Sequence, residues 1–297
     1  MNELLMFYNP IVYKRPAGKK LDDFLISGKE KGINIKSFSL DFLREGSIAP
    51  SRLESAEGII IAGGDGTLNS AVNYLLRLDC VLPPLGVLPL GTANDFAYQL
   101  TAGDLSERGL LEAIMAKNTI KADIGKLNDT YFVNVAAVGI LAEISHTTSD
   151  DLKGKLGMLA YYLEGIKRLT AYKPFSLLVD FPWGKEQFKN VYLFLILNSQ
   201  GAGGFRHLLP RASLNDGLLH LVVFNNLNRI NELVSLLPVI QKGLPQEGSF
   251  FEYYRVKNFS VQGQSGIDTI IDGELGPSFP FDVKLYEKCL TCFCLKK

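Results

Sequence analysis

Along the first part of the chain, short apolar runs alternate with longer segments in which apolar residues recur every three or four positions. Residues 4–8 form an apolar run closed by Asn9-Pro10, which predicts a strand entering a turn. Residues 19–31 are charged, with Leu21, Phe24 and Leu25 on one side, and predict a surface helix. Around Ile33, Ile35 and Ser37 the period is two, which predicts a second strand. Residues 58–62 are apolar throughout, as in a strand covered on both faces. In residues 67–78, Leu68, Ala71, Val72, Leu75 and Leu76 make the apolar stripe of a helix. Residues 85–88 predict another strand and 105–117 another helix. This alternation predicts a parallel sheet with helices on both faces.

The pattern changes near residue 122. Beyond it come short β-prone runs at 131–136, 175–181, 191–198, 218–224, 255–261, 267–271 and 281–286, separated by turn clusters. They predict an antiparallel sandwich or barrel. Two helical insertions are expected, at 153–169 and at 227–241, the second broken by Pro238.

Composition narrows the class. The chain has 297 residues, long enough for about two domains, and 47% of them are hydrophobic. Lys and Arg number 31 and so do Asp and Glu, so no basic excess points to nucleic acid. The apolar run 191–197 is typical of the longest ones, far below the roughly twenty residues a membrane helix needs. The opening Met1-Asn2-Glu3 does not predict a signal peptide. Cys289, Cys292 and Cys294 cluster without a fourth metal ligand nearby and read as thiols on a packed strand, consistent with a reducing compartment. His146, His207 and His220 show no ligand spacing.

The chemistry lies in three turns. Gly63-Gly64-Asp65-Gly66-Thr67 falls between a predicted strand and a predicted helix. Glycines there let backbone N–H groups approach an anion, and the helix start adds free donors. Phosphate suits such a turn, and Asp65 beside it suits a Mg²⁺ carried by the phosphate. Pro89-Leu90-Gly91-Thr92-Ala93-Asn94-Asp95-Phe96 is a second glycine turn, with Asp95 expected to cap the next helix. Asp272-Gly273-Glu274 ends a β-branched run and can be read as an acidic hairpin turn or as a pair of carboxylates for proton and metal work.

These blocks resemble the diacylglycerol-kinase catalytic-domain family. Gly63-Gly64-Asp65-Gly66-Thr67-Leu68-Asn69 with Asn73, then Pro89 to Ala97, then Leu214-Asn215-Asp216-Gly217-Leu218-Leu219, then Asp272-Gly273-Glu274 stand in the family's order. The resemblance spans nearly the whole chain and is strongest to the soluble bacterial lipid kinases. It implies an α/β nucleotide-binding domain with a parallel sheet, similar to NAD kinases and diacylglycerol kinases, over residues 1–122, with 287–297 returning to it. It implies an antiparallel β-sandwich domain, on the lipid-substrate side, over 123–286. The implied activity is transfer of the γ-phosphate of Mg-ATP to the hydroxyl of diacylglycerol or a related lipid.

The resemblance also implies site roles. Asn9, Ser39, Gly63, Gly64, Asp65, Gly66, Thr67, Leu68, Asn69 and Thr92 would contact ATP, with Asp65 holding its Mg²⁺. Asp272 would be the general base, with Glu274 or Asp65 as alternatives. A second, structural Mg²⁺ would bind the Asp216 carboxylate and the carbonyls of Ser213 and Leu218. A cytoplasmic protein in peripheral contact with the inner face of the membrane is expected, and a homodimer is admitted. Phe175, Phe181, Trp183 and Phe188, with Lys185 and Lys189, read as sandwich core beside solvated lysines or, alternatively, as a candidate membrane-facing group.

Two departures stand out. The family follows Asn9-Pro10 with a small, glycine-bearing loop, whereas here Ile11-Val12-Tyr13-Lys14-Arg15 is bulky and basic. A Glu commonly follows the position of Asn69, and here it is Ser70. The alternative functions are an NAD-kinase-type phosphotransferase, against which the long second block and the Asp-Gly-Glu turn argue, and a non-catalytic nucleotide-binding regulator, for which only the altered loop speaks.

Overall fold

The structure is a computed structural model that describes residues 3–14, 16–140, 172–225, 242–245, 248 and 251–295. The helices expected at 153–169 and 227–241 lie outside the described residues, as do Arg15 and His146. The chain divides into two units, Met1–Asp123 with Glu287–Lys297, and Ile124–Tyr286.

The first unit is built on β1 (Leu4–Tyr8), β2 (Ile35–Ser39), β3 (Gly58–Gly63) and β4 (Leu85–Pro89), all parallel, in the order β2-β1-β3-β4. Every residue of β3 and β4 is buried, as their unbroken apolar sequences require. The helices α1 (Ala17–Glu30) and α6 (Glu107–Met115) pack together and share a core with Met6, Ile60 and Leu88. The helices α2 (Leu40–Arg44) and α4 (Asp65–Leu75) pack against each other.

Three short helices escape the periodicity argument: α2, α3 (Pro50–Glu54) and α5 (Asp95–Leu100). Five or six residues hold no full stripe. Ser39 accepts from the Asp41 N–H, and Pro50 occupies the first turn of α3. Asp95 is the first residue of α5 rather than its cap; Asn94 takes the cap position.

The second unit is a β-sandwich of antiparallel strands. In chain order the strands that lie in it wholly or in part are β5 (Thr119–Leu127, in this unit from Ile124), β6 (Thr130–Phe132), β7 (Val135–Gly139), β8 (Phe175–Phe181), β9 (Gly184–Leu197), β10 (Leu219–Asn225), β11 (Phe251–Val256), β12 (Asn258–Gly263), β13 (Thr269–Ile271), β14 (Glu274–Leu275) and β15 (Phe281–Phe293, in this unit to Tyr286). The order is β14-β13-β7-β9-β8-β12-β15, with β10 also on β9 and β11 outside β10. Phe132, Phe194, Ile196, Leu221, Val261 and Phe281 belong to its core. Within the first unit, the last part of β15 runs parallel to β4, pairing Cys292 with Leu85.

Two expected strands are split. The run 131–136 breaks at Val133-Asn134, and 255–261 breaks at Lys257. Lys257 sends its carbonyl to the Leu285 N–H at 2.9 Å. The first break serves the acidic turn described below. Among the described residues no helix is long and apolar enough to cross a membrane.

Candidate active site: glycine turns at the strand ends and a pinned acidic turn

In the first unit the chain leaves β1 for β2 on one side, then returns to the other side for β3. The carboxyl ends of β1 and β3 therefore flank the point where strand order reverses, the usual ligand crevice of an open parallel sheet. Both strands end in turns that bear the expected residues. Asn9 follows β1, and its Oδ1 accepts from the Ile11 N–H at 3.1 Å. Gly63 ends β3, Gly64 precedes α4, and Asp65 opens that helix.

The neighbouring strand β4 supplies the facing turn. Leu90 N–H donates to the Gly63 carbonyl at 2.9 Å, which draws the two turns together. Asn94 adopts a left-handed conformation (φ 51°), so its side chain folds back on Gly91. Its Oδ1 accepts from the Gly91 N–H at 2.9 Å and its Nδ2 donates to the Gly91 carbonyl at 2.7 Å. A Cβ on Gly64 would lie 3.0 Å from the Gly91 Cα, so only bare backbone fits between the turns.

The remaining expected contacts are arranged along the same edge. Ser39 ends β2, but its hydroxyl is engaged in capping α2 and donates to Asp41 Oδ2 at 3.0 Å. Thr92 is exposed, and Gly66 and Thr67 lie in the first turn of α4. Leu68 is buried and gives its N–H to the Gly64 carbonyl at 3.0 Å, so that N–H serves the helix rather than a ligand. Asn69 is buried and accepts from Asn73 Nδ2 through both its carbonyl and its Oδ1, each at 3.0 Å. Asp65 Oδ1 stands 3.5 Å from the Phe96 N–H, a long contact.

The altered loop is a 3-10 turn over Pro10–Lys14, with Tyr13 and Lys14 exposed. A glycine is nevertheless present beside it: Gly18, buried in the first turn of α1, where a Cβ would meet the Tyr13 Cα at 3.1 Å. Ser70 accepts from Arg44 Nε (3.1 Å) and Nη2 (2.8 Å), so the position still joins α4 to α2.

In the second unit Asp272 and Gly273 form the two-residue turn between β13 and β14, with φ of 48° and 94°. Positive φ at both positions is the geometry that Asp-Gly favours in a hairpin. The Asp272 carboxylate turns inward. Its Oδ2 accepts from the Val133 N–H at 2.6 Å, and its Oδ1 from the Asn134 and Val135 N–H groups, each at 2.9 Å. Asp272 N–H returns a bond to the Val135 carbonyl at 2.9 Å. The break between β6 and β7 is thus filled by a carboxylate. Glu274, two residues on, is exposed. Sequence reasoning missed Asn134 and its neighbours, although an Asn inside a β-prone run was a cue.

Asp216 lies in the turn before β10 and accepts from the N–H groups of Ser213 and Leu218, each at 3.0 Å. The buried His220 joins it, and this residue carried no signal in the sequence. Of the four aromatics in the candidate membrane group, Phe175, Phe181 and Phe188 are core residues. Trp183 is 56% exposed and stacks on Phe181 with ring centroids 4.7 Å apart.

Comparison with known proteins fits this arrangement. Residues 3–127 match the diacylglycerol kinase catalytic domain, and residues 134–294 match the YegS C-terminal NAD kinase beta sandwich-like domain. A diacylglycerol kinase of Staphylococcus aureus (strain bovine RF122 / ET3-1) is 31% identical over 291 residues, covering 97% of this chain and 91% of the relative. The protein from strain MRSA252 matches equally, at 31% over 291 residues with the same 97% and 91% coverage. A crystal structure from Bacillus anthracis str. Sterne shares the fold with a TM-score of 0.82 at 21% identity, covering 99% of this chain and 95% of that one. A diacylglycerol kinase structure from the same organism gives 0.74 at 21% identity, covering 99% and 97%. The protein is a kinase, a phosphotransferase. More closely, the chain belongs to the diacylglycerol kinase family.

Proposed function

We propose that this kinase transfers the γ-phosphate of Mg-ATP to the hydroxyl of diacylglycerol or a closely related lipid. The observation that carries this reading is the pair of glycine turns at the strand-order reversal, in a chain 31% identical to proteins named diacylglycerol kinase. The N–H groups of Gly64 to Thr67 would receive the phosphates, with Asn9, Ser39 and Thr92 along the same strand ends. Asp65 would face the Mg²⁺ that arrives with ATP.

Phosphoryl transfer passes through a loose transition state, so positioning and charge stabilisation do most of the catalysis. A base need only accept the lipid hydroxyl proton late. Of the two carboxylates on the acidic turn, Glu274 is the exposed one, whereas Asp272 holds backbone N–H groups. That contrast supports Glu274 as the proton acceptor and Asp272 as the residue that positions the turn. The protein would work in peripheral contact with the membrane from the cytoplasmic side, with Trp183 and Lys185 at the β8–β9 turn as one point of contact.

The deciding experiment is transfer of labelled γ-phosphate from Mg-ATP to diacylglycerol, monoacylglycerol, ceramide, sphingosine or phosphatidylglycerol in mixed micelles, with NAD as the soluble control. Labelled lipid that vanishes in Asp65→Ala and Glu274→Gln is expected and names the acceptor. Labelled NAD, or bound ATP without any labelled product, overturns the reading.

A further inference from the structure

The family resemblance assigns the turn before β10 a resident Mg²⁺ on Asp216, Ser213 and Leu218, and the donor set here does not suit one. Mg²⁺ needs a near-octahedral shell of oxygens, with one or two carboxylates directed at it. The Asp216 carboxylate is already committed to N–H donors. Its Oδ1 accepts from Leu218 at 3.0 Å. Its Oδ2 accepts from Ser213 at 3.0 Å and lies 3.0 Å from His220 Nε2. The Ser213 carbonyl in turn faces the N–H of Asp216 itself, at 3.4 Å.

His220 is only 2% exposed, and both of its ring nitrogens are engaged. Nδ1 lies 2.7 Å from the Tyr253 hydroxyl, and the two rings stack at 8° with centroids 6.0 Å apart. A ring nitrogen that faces a carboxylate carries the proton, so Nε2 donates to Asp216. Tyr253 fixes the ring from its other side, as an outer partner fixes a metal-bound histidine. We propose that His220, backed by Tyr253, closes the turn at residues 213–218 in place of a divalent cation, so that the turn holds its shape without Mg²⁺.

The acidic turn gains from this. His220 pairs with Leu197 on β9, and Leu197 pairs with Val135 on β7. Val135 exchanges two hydrogen bonds with Asp272, each at 2.9 Å. The closed turn therefore anchors one end of a row whose other end carries the acidic turn, and that geometry does not depend on free Mg²⁺. The inference is independent of the kinase reading, because its test measures unfolding and not phosphate transfer.

The test is thermal unfolding of the full chain without nucleotide, in EDTA and in excess MgCl₂. Wild type is expected to unfold at the same temperature in both. Tyr253→Phe should unfold a few degrees lower in both. His220→Asp sets a second carboxylate against Asp216. It should unfold lowest in EDTA and be raised by Mg²⁺; failure of Mg²⁺ to raise it counts against the imidazole standing where a cation would. A Mg²⁺-dependent rise in wild type that is absent in Asp216→Asn overturns the proposal. A rise retained in Asp216→Asn comes from another site and agrees with it. Should His220→Asp not fold, the wild-type, Asp216→Asn and Tyr253→Phe comparison decides by itself.

Discussion

Gly64 and Gly91, on turns that follow different strands, approach so closely that a Cβ on Gly91 would stand 2.5 Å from the Cα of Gly64. Nothing flexible is available to yield, since the obstacle is backbone. Gly91→Ala must push the two turns apart, at a cost of about 1–3 kcal/mol. Because the same atoms would face the phosphates, ATP affinity measured by calorimetry should fall at least about tenfold. A variant with unchanged affinity would show that the turns do not form the nucleotide site.

Asn94 offers a graded test of the same turn. Asn94→Gly keeps the left-handed backbone but loses both bonds to Gly91, each worth about 1 kcal/mol. Asn94→Ala loses the bonds and adds backbone strain of about 1 kcal/mol. Urea unfolding should rank wild type above Asn94→Gly, and that above Asn94→Ala.

The acidic turn separates fold from chemistry. Asp272→Ala leaves three backbone N–H groups without their carboxylate and should lower stability by about 2–4 kcal/mol. Glu274→Gln should leave the unfolding midpoint unchanged and cut turnover by about 10²–10⁴-fold. Steady-state phosphate transfer beside a melting curve reads both. Equal melting of the two variants would undo the division of roles.

Acid should reveal Asp216. Burial works to raise its pKa, but the hydrogen bond and charge of His220, with the Ser213 and Leu218 N–H groups, outweigh it and hold the carboxyl below its ordinary 3.8. A depressed folded value means that the contribution is present above the unfolded pKa and is lost as pH falls through the folded one. Unfolding free energy should therefore drop in wild type as pH falls below 3.8, and more gently in Asp216→Asn.

How far the sequence could be read follows from where each cause lies. The stripe Leu68, Ala71, Val72 and Leu75 and the run Ile59 to Ala62 state their own elements, so the α/β class is legible. The glycine turns are legible for the same reason: the demand for bare backbone falls on local residues. The break at Val133-Asn134 is not, because its cause is a carboxylate 139 residues away from Val133. His220 is silent too. Its partner Tyr253 pairs with Val222, so the two rings meet only as diagonal neighbours across β10 and β11. The three short helices hold too few residues for an apolar stripe, and of the three α2 has a side-chain cap, Ser39, while α3 and α5 have none.

The strand β15 sets an order of events during synthesis. Phe293 is buried in the core of the first unit, close enough that a Cβ on Gly58 would meet its ring at 2.7 Å. Leu295 N–H reaches the Leu100 carbonyl at 2.9 Å, and Cys294 N–H the Asn118 carbonyl at 3.0 Å. On the ribosome, domains usually fold as they emerge. Here the unit made first lacks a core aromatic until the whole of the second has been made, so its sheet stays incomplete for as long as the second unit is being synthesised.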